Sequence, residues 1–193
     1  MRTVTVTRAT RETDITLTLN LDGSGKTSIH TGIGFFDHML TALALHGSMD
    51  MDLKVRGDLE VDGHHTVEDT GIVLGQALAQ LLGDKSAIQR YGSFSIPMDE
   101  SLVTCHLDIS GRPFLVFRMT FQNQSCGSYD CCLTGEFFRA MAMNGGLTLH
   151  VTEEYGENDH HKIEAAYKAV GHALALAAAP RAGGTLSTKG MLE

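Results

Sequence analysis

Two short segments of the sequence place a pair of histidines just ahead of a glutamate. HHTVE occupies residues 64–68 and HHKIE occupies residues 160–164. On a helix, residues i and i+4 lie on one face, while residue i+1 points about 100° away. The first histidine and the glutamate of each segment could therefore bind one metal ion, and the second histidine would face elsewhere. Imidazole and carboxylate ligands without thiolate suit Mn, Fe, Zn or Ni, and match a Cu(I) or iron–sulfur site poorly.

A single segment of this kind also has a plain structural explanation. Polar residues cap a helix start, and a carboxylate in the first turn is stabilised by the helix dipole. Two copies are harder to attribute to capping, so the sequence favours metal binding, by His64 with Glu68 and by His160 with Glu164. If the two helix starts face each other, the second histidine of each could reach the metal ion of the other.

The two segments belong to a longer internal repeat. Residues 64–79 align with residues 160–175 without a gap, at a separation of 96 positions. Residues 12–23 align with residues 100–111 at a separation of 88 positions. Because the alignments occur in the same order and their separations differ only by loop lengths, the chain is predicted to be a duplicated unit.

A third alignment adds one candidate ligand to each half. At a separation of 98 positions it pairs His38 with Glu136 and Gly47 with Gly145. Both candidates lie in or beside apolar segments with helical spacing, HMLTALALHG and FFRAMAMNGG, which close with the glycine typical of a helix C-terminus. His38 and Glu136 would each supply a further ligand to one metal site.

The remaining patterns place these helices within the repeated unit. ITLTLNL and LVTCHLDI alternate in period two and end at glycine turns, as strands do, and DMDLKVRGDLEV and LTLHVTEEYG also alternate. Each unit is predicted to run strand, strand, helix, one or two strands, helix. This pattern indicates an α+β fold of two halves, each a small sheet with helices on one face, packed by a pseudo-twofold with the helices between the sheets. We assign residues 1–92 to the first repeat and residues 93–193 to the second, within one compact domain.

The composition argues against several classes of protein. A formal net charge of −8 disfavours a general affinity for nucleic acid or an anionic membrane. No apolar run is long enough to span a membrane, and the N-terminus lacks the apolar centre of a signal peptide, so a cytoplasmic location is expected. The four cysteines match no zinc-ribbon spacing, and we expect them to be reduced thiols.

Basic residues are sparse, so a few of them must meet any anionic substrate. Lys168 lies four residues after Glu164 and would share its helix face, where a cation could hold a substrate anion near the metal. Arg90 and Arg112 are each, taken alone, compatible with a solvated surface charge. The tail GGTLSTKGMLE could be frayed, or could bind phosphate through hydroxyl, amide and ammonium donors.

Taken together, the motifs closely resemble the imidazoleglycerol-phosphate dehydratase family of histidine biosynthesis. The doubled HHxxE with GFFDHML is highly specific, and the matching segments span nearly the whole chain in order. They are RxTxET at 8–13, GFFDHML at 34–40, DGHHTVEDTG at 62–71, RYGSFSIPMDE at 90–100, SGRPF at 110–114, EFFRA at 136–140, LTLHV at 147–151, NDHHKIEAAYKA at 158–169 and LSTKG at 186–190.

The resemblance implies an architecture and a set of functional residues. Each half would be a four-stranded sheet with two helices, and 24 subunits would assemble with dinuclear sites, two Mn²⁺ per active site, between neighbouring chains. The implied metal ligands are His38, His64, His65, Glu68, Glu136, His160, His161 and Glu164. The implied catalytic residues are Glu12, Glu68 and Glu164. The implied substrate contacts are Glu12, His38, His46, His64, Glu68, Arg90, Arg112, His160, Lys168, Ser187, Thr188 and Lys189. Several family members carry histidine where this chain has Glu136, although a carboxylate is also acceptable to manganese.

The implied reaction makes sense of these residues. D-erythro-imidazole-glycerol phosphate, a small phosphorylated imidazole, would lose water to give imidazole acetol-phosphate. Two metal ions on the ring nitrogens would favour the imidazolate, which can expel the hydroxyl on the adjacent carbon. Glu12 could then take the proton from the neighbouring carbon as a general base. Arg90, Arg112, Lys168 and the LSTKG tail would hold the phosphate, and no redox cofactor is required.

Two other functions would use the same candidate ligands. A dinuclear metal hydrolase could activate water with the same two ions. A metal store or sensor would need only the duplicated histidine and glutamate clusters, but would leave the basic residues and the Ser-Thr-Lys tail without a role. Production of an enolisable ketone from imidazoleglycerol phosphate would separate the dehydratase from both.

Overall fold

Two four-stranded sheets contain the strands of the repeated unit. The computed structural model describes residues 1–190 and 192, so residues 191 and 193 of the predicted second repeat lie outside the described residues. The first sheet comprises β1 Thr3–Ala9, β2 Thr13–Asn20, β3 Thr27–His30 and β4 Asp50–Gly57, in the order β1-β2-β4-β3. The next strands along the chain are β5 Tyr91–Met98, β6 Ser101–Asp108, β7 Phe114–Arg118, a short hairpin of β8 Ser125–Cys126 with β9 Tyr129–Asp130, and β10 Thr148–Tyr155. The second sheet has the order β5-β6-β10-β7, which repeats the order of the first.

Four helices complete the two halves: α1 Gly34–His46, α2 His64–Leu82, α3 Leu133–Gly145 and α4 Asp159–Ala178. In the first half, α1 connects the parallel neighbours β3 and β4, and α2 follows β4. In the second half, α3 connects the parallel neighbours β7 and β10, and α4 follows β10. Parallel neighbours need a crossover of this kind because a tight turn cannot join them. The predicted α+β fold, with a four-stranded sheet and two helices in each half, is confirmed. Within residues 1–190 and 192, no helix combines the length and apolarity needed to cross a bilayer.

The predicted order of elements within the unit is wrong in one respect. In each half, three strands of the four-stranded sheet precede the first helix and one follows it, instead of two before and one or two after, and the second half adds the β8–β9 hairpin ahead of α3. The missed strands of the two four-stranded sheets are β3 and β7, which lie at sheet edges. β3 has four residues and a single buried side chain, Ile29, and no side chain of β7 is fully buried. Neither strand therefore carries the alternating pattern that revealed β2 and β6.

The first helices of the two halves bury equivalent positions. Each buried residue of α1 has a buried counterpart on α3 at the predicted separation of 98 positions. The pairs are Phe36 with Thr134, Met39 with Phe137, Leu40 with Phe138, Ala42 with Ala140, Leu43 with Met141 and Ala44 with Ala142. His38 and Glu136 consequently occupy equivalent positions on equivalent helices, outside the buried face.

Helices of the two halves cross at glycines. A Cβ atom at Gly171 of α4 would lie 2.6 Å from the backbone oxygen of Leu43 in α1. A Cβ atom at Gly75 of α2 would lie 2.6 Å from the backbone oxygen of Met141 in α3. The first helix of each half thus packs on the second helix of the other half, and each second helix also packs on its own sheet. The contacts are reciprocal between the two halves.

Candidate metal centre and substrate site

Three ligand atoms converge where α1 meets the start of α4. The side chain of Asn158 caps α4 by accepting hydrogen bonds from the backbone N–H groups of His160 and His161. The helix therefore begins directly ahead of His160. Glu164 Oε2 lies 3.1 Å from His160 Nε2 and 3.2 Å from His38 Nε2. The ligand atoms of these three residues all lie within 4.8 Å of one another, and within the described residues no other group of three does so. Two imidazoles and a carboxylate at this spacing can bind one divalent cation.

The carboxylate of this group, which we call the α1–α4 cluster, is kept ionised by its neighbours. Glu164 is 7% exposed, and burial by itself raises the pKa of its carboxyl group. The hydrogen bond and charge of Lys168, whose Nζ lies 2.8 Å from Glu164 Oε1, and the proximity of His38 outweigh burial and lower the pKa. Glu164 is therefore an anion at neutral pH, as a metal ligand must be. The predicted common face of Glu164 and Lys168 is present.

The equivalent residues on α2 and α3 are more open. His64 Nε2 lies 3.6 Å from Glu68 Oε2, and both side chains are 42% exposed. Glu136 makes an ion pair with Arg139, one helical turn later, at 3.4 Å from Nε to Oε2. His64 and Glu68 share a helix face as predicted, but no third ligand in the described part of the chain joins them as His38 joins the α1–α4 cluster.

The second histidine of each pair turns away from the first and contacts carboxylates. His65 Nδ1 lies 3.0 Å from Asp58 Oδ2, and this hydrogen bond raises the pKa of His65. His161 Nδ1 lies 2.8 Å from Glu100 Oε2, and this contact holds the pKa of Glu100 well below its usual range. The splay predicted from helix geometry is present. Among the residues that the structure describes, neither histidine joins a cluster of three ligands.

The remaining ends of these two imidazoles face more exposed carboxylates. Glu12 Oε1 lies 3.8 Å from His65 Nε2, and Asp99 Oδ2 lies 3.7 Å from His161 Nε2. By sequence, Glu12 aligns with Glu100, yet by contact its counterpart is Asp99. Asp58, Asp99 and Glu100 were not predicted as site residues. The alignment of Glu100 with Glu12 was a signal that could have revealed it.

A second polar contact lies further along the seam between α1 and α4. His46 Nδ1 lies 3.0 Å from His172 Nε2, and the ring of His172 stacks on Phe94 at a centroid distance of 4.1 Å. Burial lowers the pKa of both histidines, and the charges of His172 and Lys168 lower that of His46 further. His172 was not predicted, although His160, Glu164, Lys168 and His172 recur every four residues and so form one stripe of α4.

The predicted phosphate-binding residues gather in a different place. Arg90, Arg112 and residues 187–189 line a cavity of about 790 Å³ together with Arg181, which was not predicted from the sequence. Asp108 binds the Arg90 guanidinium through two hydrogen bonds of 2.7 and 3.0 Å. A third guanidinium nitrogen of Arg90 donates to the backbone oxygen of Leu186 at 2.6 Å, which fixes the start of the tail. We call this group the arginine pocket.

The arginine pocket and the α1–α4 cluster lie near opposite ends of α4. The backbone N–H of Arg90 donates to the oxygen of Ala177, thirteen residues beyond Glu164 on the same helix. At a rise of 1.5 Å per residue, that separation is about 20 Å. Within the described residues, the α1–α4 cluster and the Arg90 backbone therefore lie too far apart along α4 to contact a single small molecule, whereas Lys168 lies beside the cluster.

The sequence comparisons decide the family. The family model for imidazoleglycerol-phosphate dehydratase matches residues 31–174, which include both HHxxE segments. The chain belongs to the imidazoleglycerol-phosphate dehydratase family. It is 58% identical over 189 residues to the imidazoleglycerol-phosphate dehydratase of Acetivibrio thermocellus, covering 97% of each chain. It is 55% identical over 194 residues to that of Exiguobacterium sp., covering both chains completely.

Solved structures of imidazoleglycerol-phosphate dehydratases share the fold. The crystal structure of the dehydratase from Staphylococcus aureus matches with a TM-score of 0.84 at 38% identity, covering 92% of this chain and 99% of that one. The dehydratase from Pyrococcus furiosus, solved in complex with (S)-C348, matches with a TM-score of 0.85 at 36% identity, covering 97% of this chain and all of the other. As a member of this family, the chain is a hydro-lyase of histidine biosynthesis.

Proposed function

We propose that the chain converts D-erythro-imidazole-glycerol phosphate to imidazole acetol-phosphate at dinuclear metal sites that more than one copy of the chain completes. The observation that carries the proposal is the α1–α4 cluster, in which His38, His160 and Glu164 present three ligand atoms within 4.8 Å of one another. Membership of the dehydratase family supplies the reaction.

The donor set fits two Mn²⁺ ions per site. Imidazole nitrogens and carboxylate oxygens without thiolate are ligands that manganese accepts. One set of ligands would be the α1–α4 cluster, and the equivalent set would be His64, Glu68 and Glu136. When bound, the two ions would favour the imidazolate form of the substrate ring, whose electron density helps to expel the hydroxyl on the adjacent carbon.

The separation of the residue groups supports sites shared between chains. The substrate is a single imidazole joined to its phosphate by three carbons, and is far shorter than the roughly 20 Å between the α1–α4 cluster and the arginine pocket. His65 and His161 point away from the ligand sets of their own chain. Both observations are explained if a neighbouring subunit supplies the missing ligands and the arginine pocket. The 24-subunit assembly and the cytoplasmic location are part of this proposal and rest on the family resemblance and the sequence.

Side chains of the protein would position the substrate and move its protons. Arg112 and Arg181, with Ser187, Thr188 and Lys189 of the tail, would bind the phosphate through charge-assisted hydrogen bonds. Arg90 would mainly fix the tail, because its guanidinium already binds Asp108 and Leu186. Glu12, whose side chain is 53% exposed beside His65, is free to approach the substrate and would take the proton from carbon.

The test is turnover of the proposed substrate by protein loaded with a defined metal. Purified protein is stripped of metal, reloaded with Mn²⁺ and mixed with imidazoleglycerol phosphate, and the ketone product is followed by its enolate absorbance in alkali. We expect product from the reloaded protein, little from the stripped protein, and a large loss with His38→Ala. Glu154→Gln, which alters an exposed carboxylate of β10, is the matched control and should retain full activity. Metal-loaded protein that hydrolyses phosphate esters without forming ketone would support a hydrolase instead, and metal uptake with neither reaction would support a store.

A further inference from the structure

Each of the two splayed histidines lies between two carboxylates, and the short contact is at Nδ1 in both cases. His65 Nδ1 lies 3.0 and 3.2 Å from the two oxygens of Asp58, whereas His65 Nε2 lies 3.8 Å from Glu12. His161 Nδ1 lies 2.8 Å from Glu100, whereas its Nε2 lies 3.7 Å from an oxygen of Asp99. Only the Nδ1 contacts are within hydrogen-bonding distance.

These contacts determine which ring nitrogen is available to a metal. An ionised carboxylate only accepts hydrogen bonds, so the neutral imidazole facing it carries its hydrogen on Nδ1 and its lone pair on Nε2. Histidine ligands of metals typically donate the N–H of the other ring nitrogen to a carboxylate or carbonyl, which fixes both tautomer and ring orientation. The contacts of His65 to Asp58 and of His161 to Glu100 are of this kind.

The carboxylates at Nδ1 are more firmly held than those at Nε2. Glu100 Oε1 accepts hydrogen bonds from the backbone N–H of Asn158 and from the Ser101 hydroxyl, both at 2.8 Å. Its other oxygen, Oε2, is left to contact His161. Asp58 is 18% exposed at the side chain, compared with 53% for Glu12. Asp99 is the most open of the four, at 79%.

The two holding carboxylates come from different points of the repeated unit. Asp58 follows β4, the strand that precedes α2, whereas Glu100 lies in the turn between β5 and β6 and aligns with Glu12. The same contact to Nδ1 is thus made twice from positions that the duplication does not relate. Descent from a common half-chain does not explain this, whereas a shared need to orient the histidine does.

We propose that Asp58 and Glu100 are positioning residues, which fix His65 and His161 as Nδ1–H tautomers so that Nε2 of each is presented to a metal ion. The inference rests on the proposed function, because it requires both histidines to be ligands. In this role Asp58 and Glu100 would act through the two histidines, without contacting the metal or the substrate themselves.

Glu100→Gln is the most informative variant. A side-chain amide has only one oxygen, so it cannot accept hydrogen bonds from both the Asn158 backbone N–H and His161 Nδ1. If the carbonyl oxygen of the introduced side-chain amide replaces Oε1 at the Asn158 backbone N–H, its NH₂ group faces His161 Nδ1. That donor forces the ring hydrogen onto Nε2, the atom needed by the metal. Asp58→Ala removes the acceptor at His65 without supplying a donor. Glu154→Gln and Asp52→Ala, which change exposed carboxylates on strands, are the matched controls.

The measurement is Mn²⁺ affinity of the metal-stripped full chain, from the electron paramagnetic resonance signal of free Mn²⁺ during titration. We expect Glu100→Gln and Asp58→Ala to weaken binding about tenfold to hundredfold, as loss of such outer carboxylates typically does, with controls within about twofold of wild type. The thermal unfolding midpoint of the stripped protein should change little, which separates positioning from a structural role. Unchanged affinity in both variants overturns the inference.

Double variants separate this inference from the proposed function. In a His161→Gln background, Glu100→Gln should have no further effect on Mn²⁺ affinity, because the residue through which it acts is absent. An undiminished effect there would refute positioning through His161. If His161→Gln and His65→Gln themselves leave Mn²⁺ affinity unchanged, the shared metal site proposed above fails. If they weaken it and the carboxylate variants do not, only the positioning role fails.

Discussion

Substitution of Gly171 by alanine tests whether the helix crossing sets the geometry of the α1–α4 cluster. The new Cβ would lie 2.6 Å from the backbone oxygen of Leu43 and 3.0 Å from the backbone nitrogen of Gly47. Neither atom can rotate away as a side chain would, so α1 must retreat from α4 by about 0.8 Å to restore an ordinary contact of 3.4 Å. Overpacking of this kind costs about 1–3 kcal/mol, while alanine gains up to about 1 kcal/mol over glycine in a helix.

We therefore expect a net destabilisation of about 1–2 kcal/mol, which corresponds to a fall of about 2–8 °C in the thermal unfolding midpoint for a chain of this size. The same retreat would move His38 away from Glu164, from which it is separated by 3.2 Å, and should weaken Mn²⁺ binding about tenfold. The assays are thermal unfolding of the metal-stripped protein by circular dichroism and Mn²⁺ titration. Gly75→Ala, which makes the equivalent clash with Met141 in α3, should destabilise the fold similarly but affect the ligand set of His64 and Glu68.

Gly34→Ala is the matched control, because a Cβ at that position of α1 meets no atom within 4 Å. It should leave the unfolding midpoint unchanged or slightly raised. The reasoning is refuted if Gly171→Ala unfolds at or above the wild-type temperature, or if Gly34→Ala is destabilised to the same extent.

Three further predictions concern the proposed base, the phosphate and acid stability. Glu12→Gln should abolish turnover while leaving Mn²⁺ and substrate binding intact, and near-normal turnover would exclude Glu12 as the base. Arg181→Ala should raise KM about tenfold to hundredfold with a smaller effect on kcat, because it removes a charge-assisted contact to the phosphate, and a fall in kcat at constant KM would contradict that role. Backbone N–H groups of Ser24 and Lys26 lower the pKa of Asp50 from 3.8 to about 2. Its folded pKa lies below its unfolded one, so its stabilisation is complete above pH 3.8 and is lost as the pH falls to about 2. Asp50→Asn should flatten the fall in unfolding midpoint within that window, and a curve parallel to wild type would count against the assignment.

Local patterns in the sequence were sufficient for much of the fold. The alternation of β2 and β6, the helical spacing of α1 and α3, and the repeat offsets are all borne out by the burial of individual residues. The edge strands β3 and β7 were missed because they bury too little to impose a period on the sequence. Each pairs with a single parallel neighbour that lies beyond a crossover helix, a long-range contact that a local pattern does not reveal.

Some contacts of the candidate ligands could likewise be predicted from local sequence patterns, and others could not. Helix periodicity alone placed His160, Glu164 and Lys168 on one face and turned His161 away from it, since contacts at i and i+4 depend only on local geometry. The roles of Asp58 and Glu100 could not be derived in this manner, because their contacts with His65 and His161 join a strand end or a turn to a helix start.

The sequence by itself determined the duplication, the residue types of the candidate metal ligands and their pairing along each helix. These features follow from short-range periodicity and from identity between the two halves. Tertiary structure alone decided that His38 joins His160 and Glu164 across a glycine crossing, whereas the Arg90 backbone bonds to Ala177, about 20 Å from Glu164 along α4. Distances between elements depend on how closely two helices can approach, and a glycine such as Gly171 shows its importance only when the backbone that it touches is in place.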